Sequence, residues 1–504
     1  MKKLLFVAAV VVCLTIIFNV YFVNQHGKRN YDMDVRVGVV LDEKINTVDP
    51  ALVKNLSQAF IVRNLYTPLL DYDEDAQIVS GLAESFVWDK NKLILSFGKR
   101  AFTGSGHLVG AEDALISLKR LMILGKNTHG NIAEFVCKSK TLKNINETCD
   151  GLYTQSGKLI LEVSNSYQKE QLMTLLSSVD YRIIPKTALN LETLKIENFS
   201  ETSGPYHLDN NDDMVLLANK HNYLNNSTMP KKIILVQQKG RDPIDSFIKN
   251  EIDVLPSFIP LTKGDIDKLD SSGVRFEVDK THDISVAMWV FSEKAQKTFT
   301  AEDRLNISRK LYDLLGNNSS AYSKNTIEFF QDFGEGFLKP SQISEIEKMR
   351  ISSILKFNKN VSVAIRGFLN INADSFFKKN TNFKRIDINT HPLNLSENER
   401  PDVFFGMADV AYKSTYSIMS YYIRYGVFGI FNKDANDWLE KYSNTEDLDK
   451  RNQLINELHF FGLKNVSCFP ISVGPYITVT RNGWHSRMNK YFSITRLWTL
   501  NNER

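Results

Sequence analysis

The chain has 504 residues, 43% of them hydrophobic and 24% charged, and 62 basic against 58 acidic residues leave a formal net charge of +4. That length exceeds what one hydrophobic core fills, so two or three domains are expected, and the composition excludes a disordered chain. With the charges balanced and no dense Lys/Arg stripe, nothing marks a nucleic-acid surface.

The N-terminus opens on Met1-Lys2-Lys3 and then runs LLFVAAVVVCLTIIFNVYFV from residue 4 to 23. Twenty apolar residues in helical form span roughly 30 Å, enough for a hydrocarbon core. The run ends in Tyr21-Phe22-Val23-Asn24-Gln25 with no small-x-small cleavage site after it. Residues 1–30 are therefore read as a signal or membrane-anchor segment. A retained anchor, a cleaved signal and a lipoprotein processed at Cys13 are the three alternatives. All of them place the remainder outside the cytoplasmic membrane.

Residues 35–41 (VRVGVVL) form a β-branched run that leads into Asp49-Pro50. Ser57 to Tyr66 carries Phe60, Ile61, Asn64 and Leu65 at helical spacing. The acidic run DYDED, with Asp71, Asp73, Glu74 and Asp75, lacks EF-hand spacing and a distal glutamate, and is read as a solvated β-turn. Phe86-Val87-Trp88 and Leu93 to Phe97 flank a polar turn, the pattern of a β-hairpin.

Phe102 to Asp113 (FTGSGHLVGAED) has the glycines of a phosphate-cradling loop. A dinucleotide loop must follow a buried parallel strand and open a helix at once. Here the preceding strand is a hairpin arm, Lys99-Arg100-Ala101 intervene, and Glu112 and Asp113 would repel a phosphate at the helix start. These glycines are expected to bend the backbone, with Gly110 as helix cap. The helix is expected over Ala111 to Leu124, with Leu115, Leu118, Leu121 and Met122 on one face.

Beyond the N-terminal run lie Cys137, Cys149 and Cys468. Cys137 and Cys149 flank a short polar stretch and can form a local disulfide in an oxidising compartment; the alternative is two unpaired thiols. Later segments alternate short strands such as Ile233 to Val236 with helices such as Pro243 to Lys249, so the class is mixed α/β. No HExxH, GxSxG or close His/Cys/Asp cluster occurs, so neither an enzyme nor a metal or cofactor is expected. Tyr412, Tyr416, Tyr421, Tyr422 and Tyr425 cluster late in the chain, as aromatic pocket walls or as core.

The stretch GLAESFVWDKNKLILSFGKRAFTGSGHLVGAEDALISLKRL, residues 81–121, resembles the signature region of the family 5 extracellular solute-binding proteins, the oligopeptide and dipeptide receptors of ABC importers. Val48-Asp49-Pro50, Leu65-Tyr66-Thr67-Pro68-Leu69, Ser203-Gly204-Pro205-Tyr206 and Asn250-Glu251-Ile252-Asp253-Val254 resemble further pieces of that pattern, in the same order. More loosely, Asp402 to Asp409 (DVFFGMAD) resembles the later strand and its Ala-Asp cleft motif.

The resemblance implies a periplasmic-binding-protein type II-like clamshell of three lobes, behind the N-terminal apolar helix. Lobe I would comprise 34–70, 184–265 and 480–504, lobe II 71–183, and a ligand-clasping lobe III 266–479. It implies a monomeric peptide- or solute-capturing protein on the periplasmic or cell-surface side of the cytoplasmic membrane, serving ABC permease subunits. A membrane-tethered sensor built on the same fold is the alternative. Asp409 matches the aspartate that pairs with a ligand's α-ammonium, and Met407, Ala408 and Tyr412 are the neighbouring ligand-binding candidates. An ordinary solvated aspartate at a strand end is the other reading of Asp409. The chain departs from the pattern at Gly406, where relatives carry tryptophan, and in Val410-Ala411-Tyr412-Lys413, which lacks their acidic-Pro pair.

Overall fold

The computed structural model describes residues 34–502 apart from 42–44, 46–47, 54–55, 125–131, 138–141, 165–167, 260, 316–320, 331–335, 352–356, 366–372, 389–394, 397–398, 410–421 and 424–425. The apolar N-terminal segment therefore lies outside the described residues. Among those described, no helix is long and apolar enough to cross a membrane.

Among the described residues, three large sheets organise the chain, beside two sheets of two strands each. The first has seven strands, in the order Phe276–Lys280, Ile477–Arg481, Val254–Leu255, Asp34–Val39, Lys232–Gln237, Val215–Ala218 and Tyr206–Leu208. Its middle is parallel, with Val35 beside Ile233 and Val37 beside both Leu235 and Val254. Val35, Val37 and Val39 are fully buried, so alternate β-branched residues of one strand supply a stripe of core. Asp253 fixes this register, since Arg36 donates to both of its carboxylate oxygens at 2.9 Å.

The second sheet, of four antiparallel strands, contains the expected hairpin Ser85–Asp89/Lys92–Ser96, followed by Lys158–Glu162 and Leu152–Gln155. The helix Ala111–Leu124 covers it and buries Leu118, Leu121 and Met122. Phe102 to Asp113 is a turn and a helix start. Thr103 and His107 close the turn through a 2.9 Å backbone bond, with Gly106 at φ +90°. Gly110 opens the helix by donating to Asp113 Oδ2 at 3.0 Å, and the buried Asp113 also accepts from the Lys186 N–H. With its carboxylate so engaged, Asp113 ties the helix to a distant segment besides complementing the dipole.

Cys137 and Cys149 are buried and joined by a disulfide, with Cα atoms 5.1 Å apart. Its sequence separation is 12 residues, and closing so small a loop stabilises by about 3 kcal/mol through the unfolded chain. Cys137→Ser is therefore expected to lower the unfolding free energy by that order in urea titrations. A midpoint equal to that of the oxidised wild type would refute the expectation. Cys468 is a free, buried thiol, which burial pushes up to about 12.

The third sheet has six strands, in the order Lys324–Asn325, Cys468–Gly474, Ser285–Phe291, Val403–Asp409, Val361–Ala364 and Phe383–Ile386. The strands Phe276–Lys280 and Ile477–Arg481 pair in the first sheet, although the sequence-level division puts the former and the start of the latter in 266–479. On the helical cover of the third sheet, His459 is fully buried. Its Nε2 accepts from the Phe329 N–H and its Nδ1–H donates to Gly336 O, both at 2.9 Å.

That tautomer follows from its two partners, and burial pushes the imidazole down to about 4 against the Gly336 bond. The unfolded chain, titrating near 6.5, takes up this proton first. Stability is thus complete above about pH 6.5 and is lost as pH falls towards 4. Between pH 7 and 5 the wild type should lose about 2 kcal/mol that His459→Gln does not lose. Urea midpoints at the two pH values check this, and parallel slopes for both proteins would contradict it.

Candidate functional site

The first and third sheets are joined by two neighbouring crossing segments. Residues 281–284 lead from Phe276–Lys280 into Ser285–Phe291, and 475–476 lead from Cys468–Gly474 into Ile477–Arg481. Thr281 holds them side by side. Its N–H donates to Tyr476 O at 3.0 Å, and its hydroxyl accepts from the Tyr476 N–H at 2.9 Å and donates to His282 O at 2.7 Å. The side chain here continues a ladder that the backbone alone leaves off between Lys280–Ile477 and Ser285–Gly474.

At this end of the third sheet three residues lie abreast: Gly474, Ser285 and Asp409, with Ser285 in register with both neighbours. The strands alternate cleanly. Val286, Met288, Val290, Phe404 and Ala408 enter one core, while Trp289, Phe291, Val403 and Phe405 enter another, with Ala287 and Met407 packed at its margin. Asp409 thus has the register parity of Met407 and Ser285. Ala408 is fully buried on the opposite face, which leaves its side chain in the core. Met407 is half-buried, and Tyr412 lies outside the described residues together with Tyr416, Tyr421 and Tyr425. Of that tyrosine group, Tyr422 is described, and its ring meets Phe329 edge-on at 5.1 Å, a core contact.

Sequence reasoning did not single out Ser285 or Thr281. A lone hydroxyl residue in or beside a strand carries no pattern, and both matter only through pairings made across the fold. The acidic run DYDED is corrected in one respect. Asp73 closes an exposed turn by accepting from the Asp75 and Gln77 N–H groups, but Asp71 is half-buried and ion-paired with Arg63 and Arg496. Burial alone would raise the Asp71 carboxyl, and the guanidiniums of Arg496, Arg63 and Arg182 outweigh it, leaving its pKa below the ordinary value.

Among the described residues, no group of three or more His, Cys, Asp or Glu side chains is placed to hold a metal ion. A polar recess of about 430 Å³ lies between residues 197–200 and 208–213 and shares no lining residue with the Asp409 strand end.

No protein-family profile matches the chain, and no curated protein matches its sequence. Solved structures do. The Escherichia coli murein tripeptide binding protein MppA shares 16% identity, with 94% of this chain and 99% of that one covered at a TM-score of 0.69. Against the unliganded open form of MppA the identity is 15%, the coverage 94% and 98%, and the TM-score 0.60. Haemophilus influenzae OppA in complex with RPPGFSPFR gives 14%, 94% and 100%, and 0.69. Likeness at such identity over 94% of this chain is likeness of backbone. The chain has the fold of the family 5 solute-binding proteins.

Proposed function

We propose that the chain is an extracytoplasmic binding protein that captures peptides, or similar small solutes, by closing a cleft between lobes and hands them to an ABC import permease. The observation that carries this reading is the pair of adjacent crossing segments between two sheet-bearing bodies. Two short connections lying side by side permit rotation about one axis while most of each body stays rigid, which is what hinge closure needs. The neighbours agree with it, because MppA is named for a murein tripeptide and OppA was solved with a peptide.

In this reading the first sheet forms lobe I, the four-stranded sheet lobe II, and the six-stranded sheet the clasping lobe III. The ligand's amino terminus meets Asp409, with Met407, the Ala408 backbone and Tyr412 around it. An extended peptide also offers donors and acceptors to strand edges at the cleft. The apolar run at residues 4–23 exports the chain or tethers it to the cytoplasmic membrane, and the protein acts as a monomer by binding rather than catalysis. A tethered sensor on the same fold is the second reading, favoured by the absence of a small-x-small site after that run.

The test is native mass spectrometry of the chain purified from its own cells, followed by thermal unfolding with a pool of synthetic tripeptides. Co-purifying peptides are expected, together with stabilisation of about 2.7 kcal/mol when ligand stands at a hundred times its Kd. No co-purifying peptide and no shift with the pool would overturn peptide capture. Retention of residues 1–30 without any co-purifying permease would favour the sensor.

A further inference from the structure

We propose that the end of the seven-stranded sheet at which the strand Asp34–Val39 begins is a docking surface for anionic lipid headgroups, kept beside the membrane by the apolar run at residues 4–23. This goes beyond ligand capture and rests on the tethered form of the reading above.

The register places five cations along this end. Asp34 pairs with Lys232 in parallel, so Lys231 and Lys232 stand at the start of the neighbouring strand. The next strand is antiparallel and pairs Leu217 with Lys232, which brings Lys220, two residues past Ala218, to the same end. On the other side Val37 pairs with Val254, Val254 with Thr480, and Arg481 with Phe276, so Arg275 stands just ahead of its strand at this end. Lys249 adjoins Asn250, whose Oδ1 accepts from Arg36 Nη2 at 3.2 Å. Lys220, Lys231, Lys249 and Arg275 are exposed and Lys232 is half-buried. None of the five forms an ion pair among the described residues, and Lys231 donates only to neutral acceptors, Asn225 Oδ1 and Asn226 O. The neighbouring acids are engaged elsewhere, Asp253 with Arg36 at 2.9 Å and Glu251 with Arg241 at 3.7 Å. Asp34 and Asp270 stand among the five and leave cations in excess. At the opposite end of the same strands, residues 209–214 read DNNDDM, three aspartates with no cation.

Surface cations alone name no partner; the path of the chain supplies one. Only residues 24–33 separate the apolar run from Asp34, and they add Lys28 and Arg29. Ten residues reach at most about 35 Å when fully extended. A globular body of this length is about 60 Å across, so a tether of that reach keeps the Asp34 end as the near one. Cations within a Debye length of the headgroups, about 8 Å at physiological salt, are attracted to an anionic layer. The acidic loop at residues 209–214 is then turned away from it.

The test uses the full chain in nanodiscs of phosphatidylcholine alone and in discs that also contain phosphatidylglycerol, with brief acetylation of lysines read by peptide mass spectrometry. At physiological salt Lys220, Lys231, Lys232 and Lys249 should react about 5-fold more slowly in the anionic discs, the factor expected for one cation at an anionic surface. Exposed Lys378 and Lys384, at the edge strand Phe383–Ile386 of the six-stranded sheet and the helix before it, should react alike in both. The protection should vanish at about 1 M salt, where the Debye length is about 3 Å. Equal rates for the four lysines in the two discs overturn the proposal, as does equal protection of Lys378 and Lys384. Protection in native membranes but in neither disc would assign the cations to a protein partner, which also overturns it. The intact mass of the chain taken from its own cells separates the two levels. Loss of residues 1–30 overturns the tether and this inference with it, whereas a retained segment with equal rates in both discs overturns the lipid surface alone.

Discussion

Arg120→Met is expected to destabilise the chain by about 3–5 kcal/mol, the cost of leaving a buried ion pair with one partner. Arg120 is 2% exposed on the inner face of Ala111–Leu124. Its guanidinium donates to both Asp49 oxygens, at 2.9 Å to Oδ1, and its Nε donates to Leu194 O at 2.7 Å. Asp49 also accepts from the Ala51 N–H at 2.9 Å and so caps the short helix that begins at Pro50. The pair therefore joins three segments far apart in sequence. Methionine keeps most of the packing volume and removes the charge, which leaves the Asp49 carboxylate, 14% exposed, without its counter-ion.

The pair variant Arg120→Met with Asp49→Asn should recover part of the loss, because no unpaired charge remains. Urea unfolding of the two singles and the double measures this. Singles within 1 kcal/mol of wild type would show that solvent compensates the pair. The nearby Tyr66 phenol is pushed well up by its burial and then by the Asp49 carboxylate, with Arg120 opposing, so it remains neutral throughout.

This pair also shows what the sequence made legible. Local pattern was enough for the helix at 111–124, which begins and ends where apolar spacing and the acidic first turn put it. It was enough for the hairpin at 85–96, where alternation and the polar turn agree. Asp49-Pro50 was visible as a motif, but its partner Arg120, 71 residues away, was not. The same holds for Ser203-Gly204-Pro205 and Leu65-Tyr66-Thr67. Gly204 donates to Leu65 O at 2.9 Å, and a Cβ at Gly204 would sit 2.5 Å from that carbonyl, so the glycine answers a close approach made elsewhere in the chain. Long-range register depends on how the sheets assemble, and one sequence does not encode it in local spacing. The strand carrying Asp409 was recognised through resemblance. Its neighbours in the sheet, and hence Ser285 and Thr281, came only with the pairing.

Asp409→Asn is the sharper test of function, and it should weaken binding of free-amine peptides roughly 30-fold or more while leaving N-acetylated peptides unaffected. One-sided removal of a desolvated charge pair costs about 2–5 kcal/mol, and the low end of that range is already a factor of about 30. Asparagine is nearly isosteric, and the backbone pairing of residue 409 with Ser285 does not depend on the side chain. Ligand-free stability should therefore stay close to that of wild type.

pH supplies an independent check, because the ligand's own α-amino group titrates near 8. The charged form is the one the aspartate selects, so wild-type affinity should fall as pH rises through about 8. The asparagine variant, which has no charge to match, should show no such fall. Salt separates a cleft contact from a rim contact: a pair enclosed by closure is screened far less than an exposed one, so free-amine affinity should change little between low and physiological ionic strength. Equal losses for free and acetylated peptides would assign Asp409 to the scaffold, and no loss for either would make it an ordinary aspartate at a strand end.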